Sequence, residues 1–234
     1  MHTPRGRQRF VQAQAGVVQA VRLMRAPRGL RKIAQQLDNG RVFLRGFLAH
    51  PREVGSVVPS SRFLERRLVR AAGIAQARCV VELGPGTGGT TRALLRAAGA
   101  ETQVLAIELS PVFHARLRAQ LAQTRLALQL GSAEQLEQIL HDRRLPPPDA
   151  IVSGIPFSTL PAAAADRVAA AVAQCLAPGG RFVAYQVRAH VADFVRPYLG
   201  EPEVSWEWRN VPPVRVFRWV KPAVVAADGI AHIR

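Results

Sequence analysis

The apolar run Cys79-Val-Val-Glu-Leu83 passes without a break into Gly84-Pro-Gly-Thr-Gly88 and then into a helix-compatible stretch. A strand that empties into alternate glycines and reopens as a helix is a demanding pattern. Glycine has no Cβ, so the backbone there can turn sharply and a ligand can approach it closely. Such a ligand sits at the carboxyl end of a strand, beside a helix N-terminus. Glu82 lies inside the first strand-like run, and Glu108 ends the next one, 20 residues beyond Gly88. An acid in that position can accept both hydroxyls of a ribose. Read alone, Glu108 could instead supply negative charge to the helix beginning at Ser110-Pro111. With the glycines and both acids in register, the pattern points to an adenosine-type cofactor. The third glycine falls one residue short of the Gly-x-Gly-x-x-Gly spacing, which turns the reading away from a dinucleotide-dependent dehydrogenase.

The rest of the chain supports an α/β sheet. Strand-like segments cover 79–83, 103–108, 126–130, 149–153, 181–187, 203–208 and 214–220, with helix-like segments at 89–98, 111–122, 133–141, 161–176 and 189–199. Strands separated by helices predict a parallel, doubly wound sheet with right-handed crossovers. The short Asn210-Val-Pro-Pro213 connection predicts that the last two strands form an antiparallel hairpin. A further helix is expected from about Arg62, capped by Ser60 or Ser61.

The front of the chain reads differently. Residues 1–70 carry 15 Lys and Arg against three acids, whereas the other 164 residues carry 17 against 13. Residues 1–40 read as a basic, partly helical arm. Residues 41–78 begin with an amphipathic stretch whose Phe43, Leu44, Phe47 and Leu48 share one helical face, flanked by Arg41 and Arg45. The cofactor-binding domain is expected over 79–221 and a tail over 222–234. A basic front on a near-neutral body points to an anionic partner, either nucleic acid or an acidic membrane surface. Two cysteines, Cys79 and Cys175, exclude a disulfide scaffold and a multi-cysteine zinc site. No apolar run reaches the roughly 18–20 residues of a spanning helix, and no secretory signal is expected. The expected location is the cytoplasm.

Taken together, Glu82-x-Gly-x-Gly-x-Gly88, Glu108, Gly131-Ser-Ala133 and Ser153-Gly-Ile-Pro-Phe157 resemble class I S-adenosylmethionine-dependent methyltransferases. That resemblance implies a Rossmann-like seven-stranded sheet whose last strand is antiparallel, here with an N-terminal helical extension. It implies S-adenosyl-L-methionine as cofactor, bound by Glu82, Gly84, Gly86, Gly88, Glu108, Ser132, Ala133 and Ser153. Many relatives carry an acid where this chain has Ser132. Phe43-Leu-Arg-Gly-Phe47 and Pro51-x-x-Val-Gly-Ser-Val-Val-Pro-Ser-Ser61 are similar to segments of bacterial phospholipid N-methyltransferases, which act on phosphatidylethanolamine, with relatives acting on ornithine lipids. From this follow a peripheral place on the inner membrane, an anionic lipid surface as partner, and substrate or membrane roles for Arg41, Phe43, Leu44, Arg45, Phe47, Leu48, Ser60 and Ser61. No metal is expected.

Methyl transfer to an amine needs alignment and an unprotonated nitrogen. Tyr185 is the first candidate to take a proton, ahead of His190 and His50, although a packed sheet tyrosine reads equally well. Ser153 would help position the amine, and Phe157 would face the cationic product nitrogen unless it is a core residue of a tight turn. Phe157 also resembles the aromatic of RNA adenine dimethylases. RNA adenine methylation, small-molecule amine methylation and a non-catalytic cofactor-binding module therefore stand beside lipid N-methylation as readings.

Overall fold

In the computed structural model, which describes residues 60–121 and 125–223, all five residues of Cys79–Leu83 are buried and form the first strand, β1. The basic arm, the 41–50 stretch with Arg41, Phe43, Leu44, Arg45, Phe47 and Leu48, His50, and the tail beyond 223 lie outside the described residues. Strands buried on both faces need helices on both sides, and the chain supplies them in alternation. After β1 come α2 (Gly89–Ala97), β2 (Gln103–Glu108), α3 (Pro111–Gln120), β3 (Leu126–Leu130), α4 (Leu136–Asp142), β4 (Ala150–Ser153), α5 (Ala162–Cys175), β5 (Arg181–Gln186), α6 (His190–Leu199), β6 (Glu203–Glu207) and β7 (Val214–Val220). Helix α1 (Arg62–Ala72) precedes them.

The seven strands form one sheet in the order β3-β2-β1-β4-β5-β7-β6. The first five are parallel, and β7 inserts antiparallel between β5 and β6. The expected seven strands and the antiparallel last strand are therefore present. Strand order reverses between β1 and β4, the place where open α/β sheets hold ligands.

Side-chain alternation divides the core. Val81 and Leu83 face α4, α5 and α6 through Leu136, Val168, Val172, Val191 and Val195. Val80 faces the opposite layer, where Leu64 and Leu68 of α1 meet Leu94 and Leu95 of α2. Ser61 starts α1 by accepting a hydrogen bond from the Leu64 amide at 3.2 Å. Cys79 is buried and Cys175 half-buried, and burial pushes both thiols up to about 11, so they are inert packing groups.

Candidate active site

The carboxyl ends of four parallel strands are stitched together beyond the sheet proper. The Gly84 amide donates to Ile107 O at 2.9 Å, the Gly131 amide to Glu108 O at 3.0 Å, and the Gly154 amide to Leu83 O at 2.9 Å. The expected cofactor residues thus share one rim. Gly88 takes φ +81°, and a Cβ there would come within 2.5 Å of Leu117 in α3. Gly86 also has a positive φ, +55°, but a Cβ on it would meet nothing within 4 Å. Gly88 is therefore glycine for packing, while Gly86 keeps open the space above the loop.

Glu108 is buried at the end of β2 and accepts two backbone hydrogen bonds, from Gly86 at 3.0 Å and Ser110 at 2.8 Å. It anchors the glycine loop and the entry to α3 together, so both sequence readings of this residue have a physical basis. Burial raises its pKa despite those amides. Each carboxylate oxygen keeps a second lone pair for a hydroxyl. Glu82 lies under the loop with 1 % exposure, and its Oε2 has no hydrogen-bond partner among the described residues. Burial, reinforced by the neighbouring Glu108 carboxylate, lifts Glu82 to about 8. At neutral pH it is mostly a neutral carboxylic acid awaiting a partner.

Ser132 follows β3, beside the end of β2, and its hydroxyl accepts from the Glu134 amide at 3.3 Å. It caps a single turn of 3-10 helix, Ala133–Gln135, and Ala133 is buried in the core. Ser153 is fully buried, and its hydroxyl is committed to the Ile155 amide at 3.3 Å, which corrects its assignment as a group that touches the acceptor. Phe157 is also corrected. Its ring is 1 % exposed and packs 6.3 Å from that of Phe194, because the turn after β4 points it into the apolar layer under α6. The turn's other face supplies Pro156, Ser158 and Thr159 to the site instead.

Those residues line a cavity of about 330 Å³ that runs from the glycine loop to the ends of β5 and β7. Tyr185 lies in it, with its hydroxyl 3.3 Å from Thr90 Oγ1, which is in turn 3.3 Å from Ser60 Oγ. Burial raises the Tyr185 pKa, so the phenol stays protonated and offers a hydrogen bond but not a phenolate base. Gln186 donates to Ile155 O at 2.8 Å and holds the end of β5 to the turn after β4. Asn210 accepts from the Ser61 amide and donates to Pro212 O, both at 2.9 Å, tying the entry of α1 to the β6–β7 connection. His190 is exposed at the start of α6, away from the cavity lining. No Asp, Glu or His is among the described residues lining this cavity, and Arg188 is one of those that do.

Thr90, Gln186, Arg188 and Asn210 are additions to the expected site. They are scattered over 121 positions of sequence, with no local motif to announce them. Ser60 also lines the cavity, its hydroxyl beside that of Thr90, and Ser61, the cap of α1, is held by Asn210.

Residues 80–180 match a family described as a methyltransferase domain. The chain is 33% identical over 178 residues to an ornithine lipid N-methyltransferase of Singulisphaera acidiphila, spanning 75% of this chain and 93% of that one. Among solved structures it resembles an O-methyltransferase from Bacillus cereus in complex with SAH (S-adenosylhomocysteine), with TM-score 0.58 and 14% identity over 79% of this chain and 91% of the other. It also resembles the N-methyltransferase NodS from Bradyrhizobium japonicum in complex with S-adenosyl-l-homocysteine, with TM-score 0.57 and 16% identity over 75% and 98%.

Proposed function

The chain belongs to the S-adenosylmethionine-dependent methyltransferases, and we propose that its acceptor is the amine headgroup of a membrane aminolipid, either phosphatidylethanolamine or an ornithine lipid. The observation that carries this reading is a cavity that joins the glycine loop to hydroxyl, amide and guanidinium groups, with no carboxylate among the described residues that line it. The likeness to an ornithine lipid N-methyltransferase along nearly its whole length supports the lipid class.

The residues fit the cofactor. Gly86 leaves room above the loop, Glu108 retains acceptor capacity, and the unpartnered Glu82 carboxyl can answer a cationic group by ionising. Glu82, Gly84, Gly86, Gly88 and Glu108 would hold it, with Ser132 and Ala133 forming the neighbouring wall. When bound, S-adenosylmethionine supplies a methyl group activated by a sulfonium. The protein's task is then alignment and desolvation of the amine, and proximity of that kind is worth several kcal/mol.

An acceptor amine must be unprotonated to attack. Among the described lining residues no carboxylate holds it as ammonium, and Arg188 disfavours a second positive charge nearby. The same guanidinium can pair with the anionic group that accompanies the amine in either headgroup, phosphate or carboxylate. The Tyr185 hydroxyl, backed by Thr90 and Ser60, can accept a hydrogen bond from the amine through its lone pair and orient it. The displaced proton leaves to water at the cavity mouth. Phe157, the residue that favoured an RNA base, lies in the core and lends that alternative no support. The 41–50 stretch would lie in the headgroup boundary, with Arg41 and Arg45 on lipid phosphates and Phe43, Leu44, Phe47 and Leu48 below them. The protein would thus act at the inner membrane as a peripheral enzyme. No helix among the described residues is long and apolar enough to cross a membrane.

The test is a transfer assay with methyl-labelled cofactor, vesicles of phosphatidylethanolamine or ornithine lipid mixed with an anionic lipid, and RNA in parallel. Label in the aminolipid that disappears in Glu108→Ala is the expected outcome. Label confined to RNA or to a soluble amine would reject the acceptor class.

A further inference from the structure

The connection between β6 and β7 carries a patch that the cofactor and the acceptor do not use. Trp208 is 67% exposed and Val211 80% exposed, and neither lines the cavity. Val211 stands beside it, because its chain neighbours Asn210 and Pro212 do line it, and Trp208 lies two residues before Asn210. Val187, 43% exposed, lies across the same mouth. The patch is built rather than incidental. Trp208 stacks on Trp206 with ring centroids 4.8 Å apart, and the Arg215 guanidinium sits 4.5 Å over the other ring. Arg215 also donates to Val187 O at 3.3 Å, tying β7 to the end of β5.

Arginines outnumber acids around it. Arg188 and Arg215 pair with no acid among the described residues. Arg67 and Arg209 share one carboxylate, Glu207, and Arg62 and Arg209 both lie over the Phe63 ring. Water-facing tryptophan and valine ringed by arginine are poorly placed for aqueous solvent and well placed for a boundary with an apolar phase on one side and phosphates on the other.

We propose that the β6–β7 hairpin tip docks on an anionic lipid bilayer, with Trp208 and Val211 entering the headgroup layer and Arg188, Arg209 and Arg215 on lipid phosphates, so that the cavity mouth faces the membrane. The purpose of this docking rests on the aminolipid reading above; its physical test does not. An RNA strand could stack on Trp208, but the more exposed Val211 offers a base neither stacking nor hydrogen bonding. A second copy of this chain would bring the same arginines together across the contact.

The experiment is flotation of the full chain with vesicles of phosphatidylcholine alone and of phosphatidylcholine with phosphatidylglycerol, comparing wild type with Trp208→Ala, Val211→Asp and the double variant. The expected result is partition onto anionic vesicles only, weakened by salt and reduced about 10-fold or more in the double variant. Both side chains are exposed, so cofactor affinity and circular dichroism should stay unchanged. Brominated acyl chains should quench wild-type tryptophan fluorescence, and Trp208→Phe should reduce that quenching to the smaller share of half-buried Trp206, since Trp219 is buried. Wild-type indifference to anionic vesicles, or equal partition and quenching in the variants, would overturn the proposal. So would a hairpin variant that lost only RNA affinity or only self-association. Hairpin-dependent partition with no label in any lipid would reject the aminolipid acceptor and leave the docking surface standing.

Discussion

The two ends of the site are made in different ways. At the cofactor end, the glycine loop, Glu82 and Glu108 come from two adjacent strands and the turns that leave them, within residues 82–110. At the proposed acceptor end, Ser60, Thr90, Tyr185 and Asn210 meet from four distant parts of the chain, through the entry of α1, the first turn of α2, the end of β5 and the β6–β7 connection. The first end is held by backbone amides on a buried carboxylate. The second is held by hydroxyl contacts of 3.3 Å and one asparagine.

That contrast predicts a steep gradient of effects. Glu108→Ala removes two amide contacts as well as the proposed acceptor for a ribose hydroxyl, and hydrogen bonds to a charged group are worth about 1.5–3 kcal/mol each. Calorimetry should show cofactor affinity falling roughly 100-fold or more. An affinity within a few-fold of wild type would mean that Glu108 only anchors the loop.

The glycines sharpen the point within a single turn. Gly88→Ala combines a left-handed backbone with a Cβ at 2.5 Å from Leu117, so it should cost about 2–4 kcal/mol of stability, seen as a lowered urea midpoint. Gly86→Ala meets open space, so its stability loss should be about 1 kcal/mol, from the backbone alone. Its larger effect should appear in cofactor affinity. Equal behaviour of the two variants in both measurements would break the distinction between packing and access.

Two buried carboxylates give the ends opposite pH signatures. Glu82 rises from an ordinary 4.5 to about 8. The folded state then holds a proton that the unfolded chain releases between those values, so Glu82 lowers stability as pH climbs, at up to about 1.4 kcal/mol per unit. Glu82→Gln should flatten that slope and stabilise the cofactor-free protein at pH 8 while weakening cofactor binding. In the wild type, cofactor binding near pH 7 should release protons, read as a dependence of calorimetric heat on buffer ionisation. Glu207 runs the other way. Burial would raise it, but hydrogen bonds from Arg67 and Arg209 hold it at about 2. Its contribution is present above 4.5 and is lost as pH falls toward 2. Acid titration of Glu207→Gln should show that loss already complete at pH 6.

The same contrast explains how much could be read from the sequence. Cys79–Leu83, the glycines and Glu108 were legible because local chain geometry alone puts them together: strand, turn and helix follow one another. The parallel strands were legible for a similar reason, since buried runs and capped helices alternate. Phe157 was misjudged because a turn of four residues decides which of its side chains face the core, and spacing carries no such information. Asn210 gave no signal at all. Its partner, the Ser61 amide, is 149 residues away, and the contact exists only because β7 doubles back beside β5.

The smallest effect is also the most discriminating. Tyr185→Phe deletes one hydroxyl from a half-buried ring that otherwise stays packed against the α1–α2 layer. The lost contact is a weak one, 3.3 Å to Thr90, so stability should change by less than about 1 kcal/mol. Cofactor affinity should hold, because the Tyr185 hydroxyl bonds Thr90 while Glu108 holds the glycine loop through Gly86. If the hydroxyl orients the acceptor, kcat should fall about 3–10-fold with little change in the cofactor's KM. A phenolate acting as base would instead leave an activity that rises toward pH 10 in the wild type and loses that rise in the variant. Burial holds the phenol protonated, so the expected profiles are parallel, with the variant displaced downward at every pH. Parallel profiles would put Tyr185 with Ser60 and Thr90 as a positioning group, and would leave water at the cavity mouth as the carrier of the amine's proton.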